Sequence, residues 1–126
     1  MADSPKTPLP DDARVVRGGQ NLPIHFAKGS GVAVGEGEKL ENVSVNCAPD
    51  LSLEELTASN PQTGYPGIPH NQVGVTTVGA IRAAGGDVVP SPTRTNPNHA
   101  ALSGLTPEQA SRLFCPTIKN PNKRNP

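Results

Sequence analysis

Proline and glycine punctuate this chain so densely that only short elements joined by long ordered loops fit it. Fifteen prolines and thirteen glycines stand among 126 residues, a share that approaches that of a disordered polymer without reaching it. A single domain of this length can withdraw roughly two-thirds of its unfolded surface from water. Its core must be largely aliphatic, because the chain has no tryptophan, one tyrosine (Tyr65) and two phenylalanines (Phe26 and Phe114).

Residues 1–10 contain three prolines and read as an irregular leader. The folded domain is expected over 11–118, with a flexible tail at 119–126. Ala13 to Arg17 reads as a strand that ends at Gly18-Gly19. Side chains alternate along a strand, so Ala13, Val15 and Arg17 share one face while Arg14 and Val16 share the other. A turn of helix is expected within 20–28. Beyond it, a glycine-rich excursion around Val32 and Val34 forms a hairpin or lies over a pocket.

Val43 and Val45 then oppose Ser44 and Asn46, the pattern of a strand with one buried and one polar face. Ser52 and Glu55 have capping-box spacing and start a short helix over about 53–58. The stretch from Asn60 to Gly74 is a long loop, and loops of that length inside small domains are often functional. Strands at 73–76 and 87–89 flank a helix over 77–84 that Gly85-Gly86 closes. Ala100 to Ser103 returns as a strand with His99, Ala101 and Ser103 on one face. Thr106, Pro107 and Gln109 start the clearest helix, which buries Ala110, Leu113 and Phe114 and ends before Pro116. The expected fold is α+β, a small, mostly antiparallel sheet with two or three short helices and long Pro/Gly-rich loops.

Eleven acidic and eleven basic residues cancel, so no large field exists to capture a polyanion, and nucleic acid is not expected as a partner. The run from Lys119 to Arg124 reads as a solvated end. No stretch of 1–12 resembles a signal-peptide core, and no segment is long and apolar enough to cross a bilayer. A soluble protein is expected, cytoplasmic or exported without a cleavable signal peptide, and not held at a membrane. Cys47 and Cys115 are read as free thiols. Three histidines and two cysteines show no zinc-like spacing, so no metal is expected. Gly29-Ser30-Gly31 and Gly35-x-Gly37 lack the rest of any nucleotide-loop fingerprint and read as flexible turns.

Three blocks join apolar alternation to versatile polar residues: Val15-Val16-Arg17-Gly18-Gly19, Val43-Ser44-Val45-Asn46 and Asn96-Pro97-Asn98-His99-Ala100. Arg17 offers a permanently charged fork for phosphate or carboxylate, with Gly18 letting a ligand approach the backbone; it reads equally as a surface arginine. Ser44 and Asn46 suit hydrogen bonds to a sugar, or simple strand-edge polarity. His99 suits general acid or base work, or merely the capping of its Asn-Pro-Asn turn. His70 stands with Asn71 and Gln72 in the long loop, and His25 has less support still.

These blocks, taken in order, resemble the small bacterial toxin domains of the ADP-ribosyltransferase-like class. The resemblance implies that Arg17 on the first strand holds a dinucleotide and that Ser44 on a later strand supports the site. Those transferases carry a catalytic Glu on a late strand, whereas Glu36, Glu38, Glu41, Glu54, Glu55 and Glu108 all fall in expected loops or helices. His99 would fill that vacancy, with Phe26 or Tyr65 stacking on nicotinamide. The implied function is that of an effector or toxin-like domain binding NAD or a related nucleotide. ADP-ribosyl transfer or NAD cleavage would follow, with His99 and Arg17 catalytic and Arg17, Gly18, Ser44 and Asn46 on the cofactor. A protein partner, an immunity protein, antitoxin or target, is expected. A metal-independent ribonuclease using Arg17 and His99, and a non-enzymatic interaction module with a partner over the 60–74 loop, are the alternatives.

Overall fold

A computed structural model of the protein describes residues 8–35 and 37–122. The first seven residues of the expected leader, Glu36, and the end of the tail with Lys123 and Arg124 lie outside the described residues. Chain order is β1 (Arg14–Gly18), α1 (Pro23–Gly29), β2 (Val43–Cys47), α2 (Leu53–Thr57), β3 (Gln72–Thr77), α3 (Val78–Ala83), β4 (Asp87–Pro90), β5 (His99–Ser103), α4 (Pro107–Phe114) and β6 (Ile118–Lys119). The strands form one sheet in the order β4-β5-β2-β1-β3-β6, and every neighbouring pair is antiparallel. This is the expected α+β fold, with four helices among the described residues.

Alternation assigns the two faces. Val15, Val43, Val45, Val88, Ala100 and Leu102 face a main core shared with Phe26 of α1, Val78 and Ile81 of α3, and Ala110 and Phe114 of α4. The side chains that alternate with them face the other way, where Val16 and Val73 pack with Leu56 of α2 and with Ile68 from the 60–74 loop. Val15 and Val16 are both fully buried, so β1 is covered on both sides. The core is mostly aliphatic, yet the two phenylalanines meet at its centre with ring centroids 5.4 Å apart.

Local chemistry starts the helices as the spacing predicts. Ser52 Oγ accepts from Glu55 N at 3.1 Å while Ser52 N donates to Glu55 Oε1 at 2.9 Å. Thr106 and Gln109 repeat the arrangement at 3.2 and 2.9 Å, and two orphan amides are satisfied at each helix start. Among the described residues of 30–42 no strand forms, so the hairpin is not seen there. Ser30 Oγ clasps Glu41 N at 3.0 Å, and Leu40 drops fully buried into the core.

The domain reaches past both expected limits. Leu9, assigned to the leader, is buried in the main core, and Lys119, assigned to the tail, pairs with Gln72 across the β3–β6 edge. Asn120 beyond it is completely buried. Among the described residues no helix is long and apolar enough to cross a membrane, and both cysteines are free. Burial pushes the Cys47 thiol up to about 11, so it behaves as a packing group rather than a nucleophile.

Candidate functional site

On the sheet face away from the main core, β2 and β5 bring Ser44, Asn46 and His99 together. Their register sets Asn46 opposite His99 and Ser44 opposite Ala101, so the imidazole leans diagonally onto Ser44. His99 Nε2 lies 3.0 Å from Ser44 Oγ, and His99 Nδ1 lies 2.8 Å from the Ser91 carbonyl oxygen. A carbonyl only accepts, so in the neutral ring Nδ1 carries the proton. Nε2 then presents its lone pair to the Ser44 hydroxyl, which donates. The β4–β5 backbone thus sets both the tautomer and the angle of the ring, leaving a base poised on an exposed serine.

Beside this pair, Asn46 is the hub of a buried amide network. Its Nδ2 donates to Leu56 O at 2.8 Å and to Tyr65 Oη at 2.9 Å, while its Oδ1 accepts from Asn96 Nδ2 at 2.8 Å. Both of its N–H donors and one of the two lone pairs of its oxygen are used. Because Tyr65 Oη accepts from Asn46, its own proton is free to be donated to a ligand. Asn96, 5 % exposed, ties the His99 turn to this network.

Gly18 forms the next part of the floor. Continuing the β1–β2 register from Val16 and Asn46 sets Gly18 beside Ser44 on the same face. A Cβ at Gly18 would fall on the His70 ring and on Ile68 Cγ2, so the absence of a side chain is what lets His70 sit down against the strand. Asn120, just beyond β6, holds that loop in place: its Nδ2 donates to Ile68 O and to His70 O, each at 2.9 Å. Gly18, Ser44, Asn46, Tyr65, His70 and His99 line a cleft of about 240 Å3. A second hollow of about 340 Å3, with Glu55, Asn60 and Asn98 in its wall, shares Tyr65 and Asn96 with the first.

Arg17 also lines this cleft, but its guanidinium is engaged elsewhere. It shares the face of Val15, and its guanidinium runs under α1, where Nη1 donates to Ser44 O at 3.1 Å and Nη2 to His25 O at 3.3 Å. Cζ stands 5.1 Å from the Phe26 ring centroid, and Nη2 occupies the space a Cβ on Gly29 would take. Burial pushes its pKa below the ordinary value. These contacts hold the guanidinium to main-chain oxygens and an aromatic face. The side chain buttresses α1 against the sheet, on the opposite side from the Ser44 and His99 side chains. Phe26 likewise belongs to the main core, which leaves Tyr65 as the aromatic of the cleft. Arg17→Ala is expected to cost about 1–2 kcal/mol of stability by losing these contacts, while leaving the cleft intact. Denaturant titration measures the loss, and a ligand affinity that collapsed with it would return Arg17 to the site.

All five expected site residues, Arg17, Gly18, Ser44, Asn46 and His99, line this cleft, with the Arg17 guanidinium turned toward α1. Tyr65, the expected stacking aromatic, and His70, a weaker expectation, join them, together with Asn96, which read as turn chemistry in the sequence. No carboxylate lines the 240 Å3 cleft among the described residues, so no glutamate takes the late-strand place that the transferase resemblance implies. No family model matches the chain, and no curated protein or solved structure matches it either. The arrangement can accept a proton at His99 Nε2 through Ser44, accept a hydrogen bond at Ser44 Oγ and donate one from Tyr65.

Proposed function

We propose that this cleft binds NAD or a related ribonucleotide, with the Ser44–His99 pair as its working group. The observation that carries the reading is the imidazole fixed by Ser91 O with its free nitrogen on Ser44, open to a cleft that Gly18 clears. A hydroxyl and an imidazole side by side can donate to and accept from the ribose hydroxyls, and Tyr65 offers a ring edge and a phenolic proton. At about 240 Å3 the cleft is below the usual range of small-molecule pockets. It suits one nucleoside unit, with any second unit reaching the hollow beyond Tyr65. The toxin resemblance supports the same ligand class, as an effector that transfers ADP-ribose or cleaves NAD. Within that chemistry His99 is the proton acceptor, and the phosphate contacts fall to Tyr65 and His70 in place of the Arg17 guanidinium.

Calorimetric titration of the protein with NAD and with AMP tests the reading. Saturable binding is expected, weakened at least about tenfold in Ser44→Ala and in His99→Ala, the loss of a hydrogen bond that leaves its partner unpaired. Arg17→Ala should bind as the parent does. Absence of binding by folded parent protein would replace this reading with that of an interaction module, for which a partner pull-down is the next experiment.

A further inference from the structure

We infer that His70 and His99 act as an acid and base pair that cleaves ribonucleotide phosphodiesters without a metal. The inference rests on the nucleotide reading of the same cleft and names its substrate class. Two imidazoles line one small cleft, and they approach it from opposite sides. His99 rises from β5, and His70 lies over Gly18 of β1, with the β2 residues Ser44 and Asn46 between them in the sheet order. Neighbouring strands stand roughly 5 Å apart, so two strand spacings separate the positions from which the rings lean inward. An in-line displacement at phosphorus has this demand, because the entering and leaving oxygens lie on opposite sides of the atom and need a base and an acid on opposite sides.

The two rings are held for different tasks. His99 has Nδ1 committed to Ser91 O and so offers only a lone pair. The His70 ring is exposed, on a backbone that Asn120 pins. In the step inferred, a ribose 2′-hydroxyl gives its proton to Ser44 Oγ as the Ser44 proton passes to His99 Nε2. The 2′-oxygen bonds to phosphorus, the bond from phosphorus to the 5′-oxygen breaks, and protonated His70 gives its proton to the departing 5′-oxygen. The products are a 2′,3′-cyclic phosphate and a 5′-hydroxyl, with no oxidant, metal or water consumed. The Tyr65 hydroxyl donates to a non-bridging oxygen, supplying without a lysine or arginine some of the charge stabilisation the transition state needs. The hollow beyond Tyr65 receives the neighbouring nucleotide. Zero net charge makes the substrate a short single-stranded segment held by local contacts, so binding should depend little on salt.

The experiment incubates the full chain with the dinucleotide uridylyl-adenosine and with its 2′-deoxy analogue, in EDTA, and separates the products by chromatography. Expected is cleavage of the ribo substrate alone, to the cyclic phosphate and a 5′-hydroxyl. The rate should fall by roughly 10²–10⁴ in His99→Ala and in His70→Ala prepared in parallel, and in His70→Gln, which keeps a similar shape, while all three retain the parent's circular dichroism. An uncut ribo substrate, equal cleavage of the deoxy analogue, or a His70 variant with the parent's rate overturns the inference. Should the calorimetric binding of NAD or AMP survive such a result, only this inference falls; if that binding is absent too, the nucleotide reading falls with it.

Discussion

Asn46→Ala is expected to lower the free energy of unfolding by about 3 kcal/mol, a large share of what a domain this size has to spare. One truncation removes bonds to Leu56 O, Tyr65 Oη and Asn96 Nδ2. The phenol can turn to water in the cleft, but the Leu56 carbonyl and the Asn96 amide stay buried without those partners. Each such orphan costs about 1–3 kcal/mol, and the loss of the shared hub lets the Asn96 turn drift from the sheet. Asn46→Asp sharpens the test. It keeps the shape but turns an oxygen toward the Leu56 carbonyl, so two acceptors meet, and it should destabilise although no cavity forms. Chemical denaturation of the three proteins measures this, and an Asn46→Asp variant as stable as the parent would mean that the network contributes packing alone.

Gly18→Ala has the largest expected effect on function for the smallest change in atoms. A methyl there meets His70 Nδ1 and Ile68 Cγ2, both side-chain atoms of a surface loop, so the loop yields while the strand holds. Stability should fall by about 1–2 kcal/mol from the overpacking. The cleft floor, however, fills beside Ser44, and His70 is displaced from it. Ligand affinity and any turnover should drop by at least about a hundredfold. Calorimetry and the dinucleotide assay on a variant with the parent's circular dichroism report this directly. Retained affinity would show that the ligand does not reach the strand at Gly18.

The legible parts of the site were those written in a local period. Val43-Ser44-Val45-Asn46 announced a strand with a polar face, and that face is the cleft. The Ser52 and Thr106 capping boxes announced two helices whose starts are bonded as the spacing required. What a period of two cannot say is which neighbour a strand meets. Arg17 stood next to Gly18 in the sequence and looked like its partner, yet adjacent residues on a strand face opposite ways. The register set Gly18 beside Ser44, while the alternation turned the Arg17 side chain toward Phe26 on the other face. His70 had no period at all. Its place depends on Asn120, fifty residues further on, in a segment that read as a loose end because β6 has only two residues and no alternation to detect. Leu9 was hidden in the same way by the prolines around it.

The Ser44–His99 arrangement also has a third member that carries no side chain. The group that orients His99 is the main-chain oxygen of Ser91, and Ser91 N in turn donates to His99 O at 2.9 Å. Almost any amino acid at position 91 can therefore do the same work. A scan of single substitutions would be blind there except to proline, which lacks the donor, and a comparison of related chains would find the position free to drift. The ring is oriented by the path of the chain rather than by the side chain at position 91, so selection there acts on the length and course of the segment, and on identity where Asn96 holds the turn to Asn46.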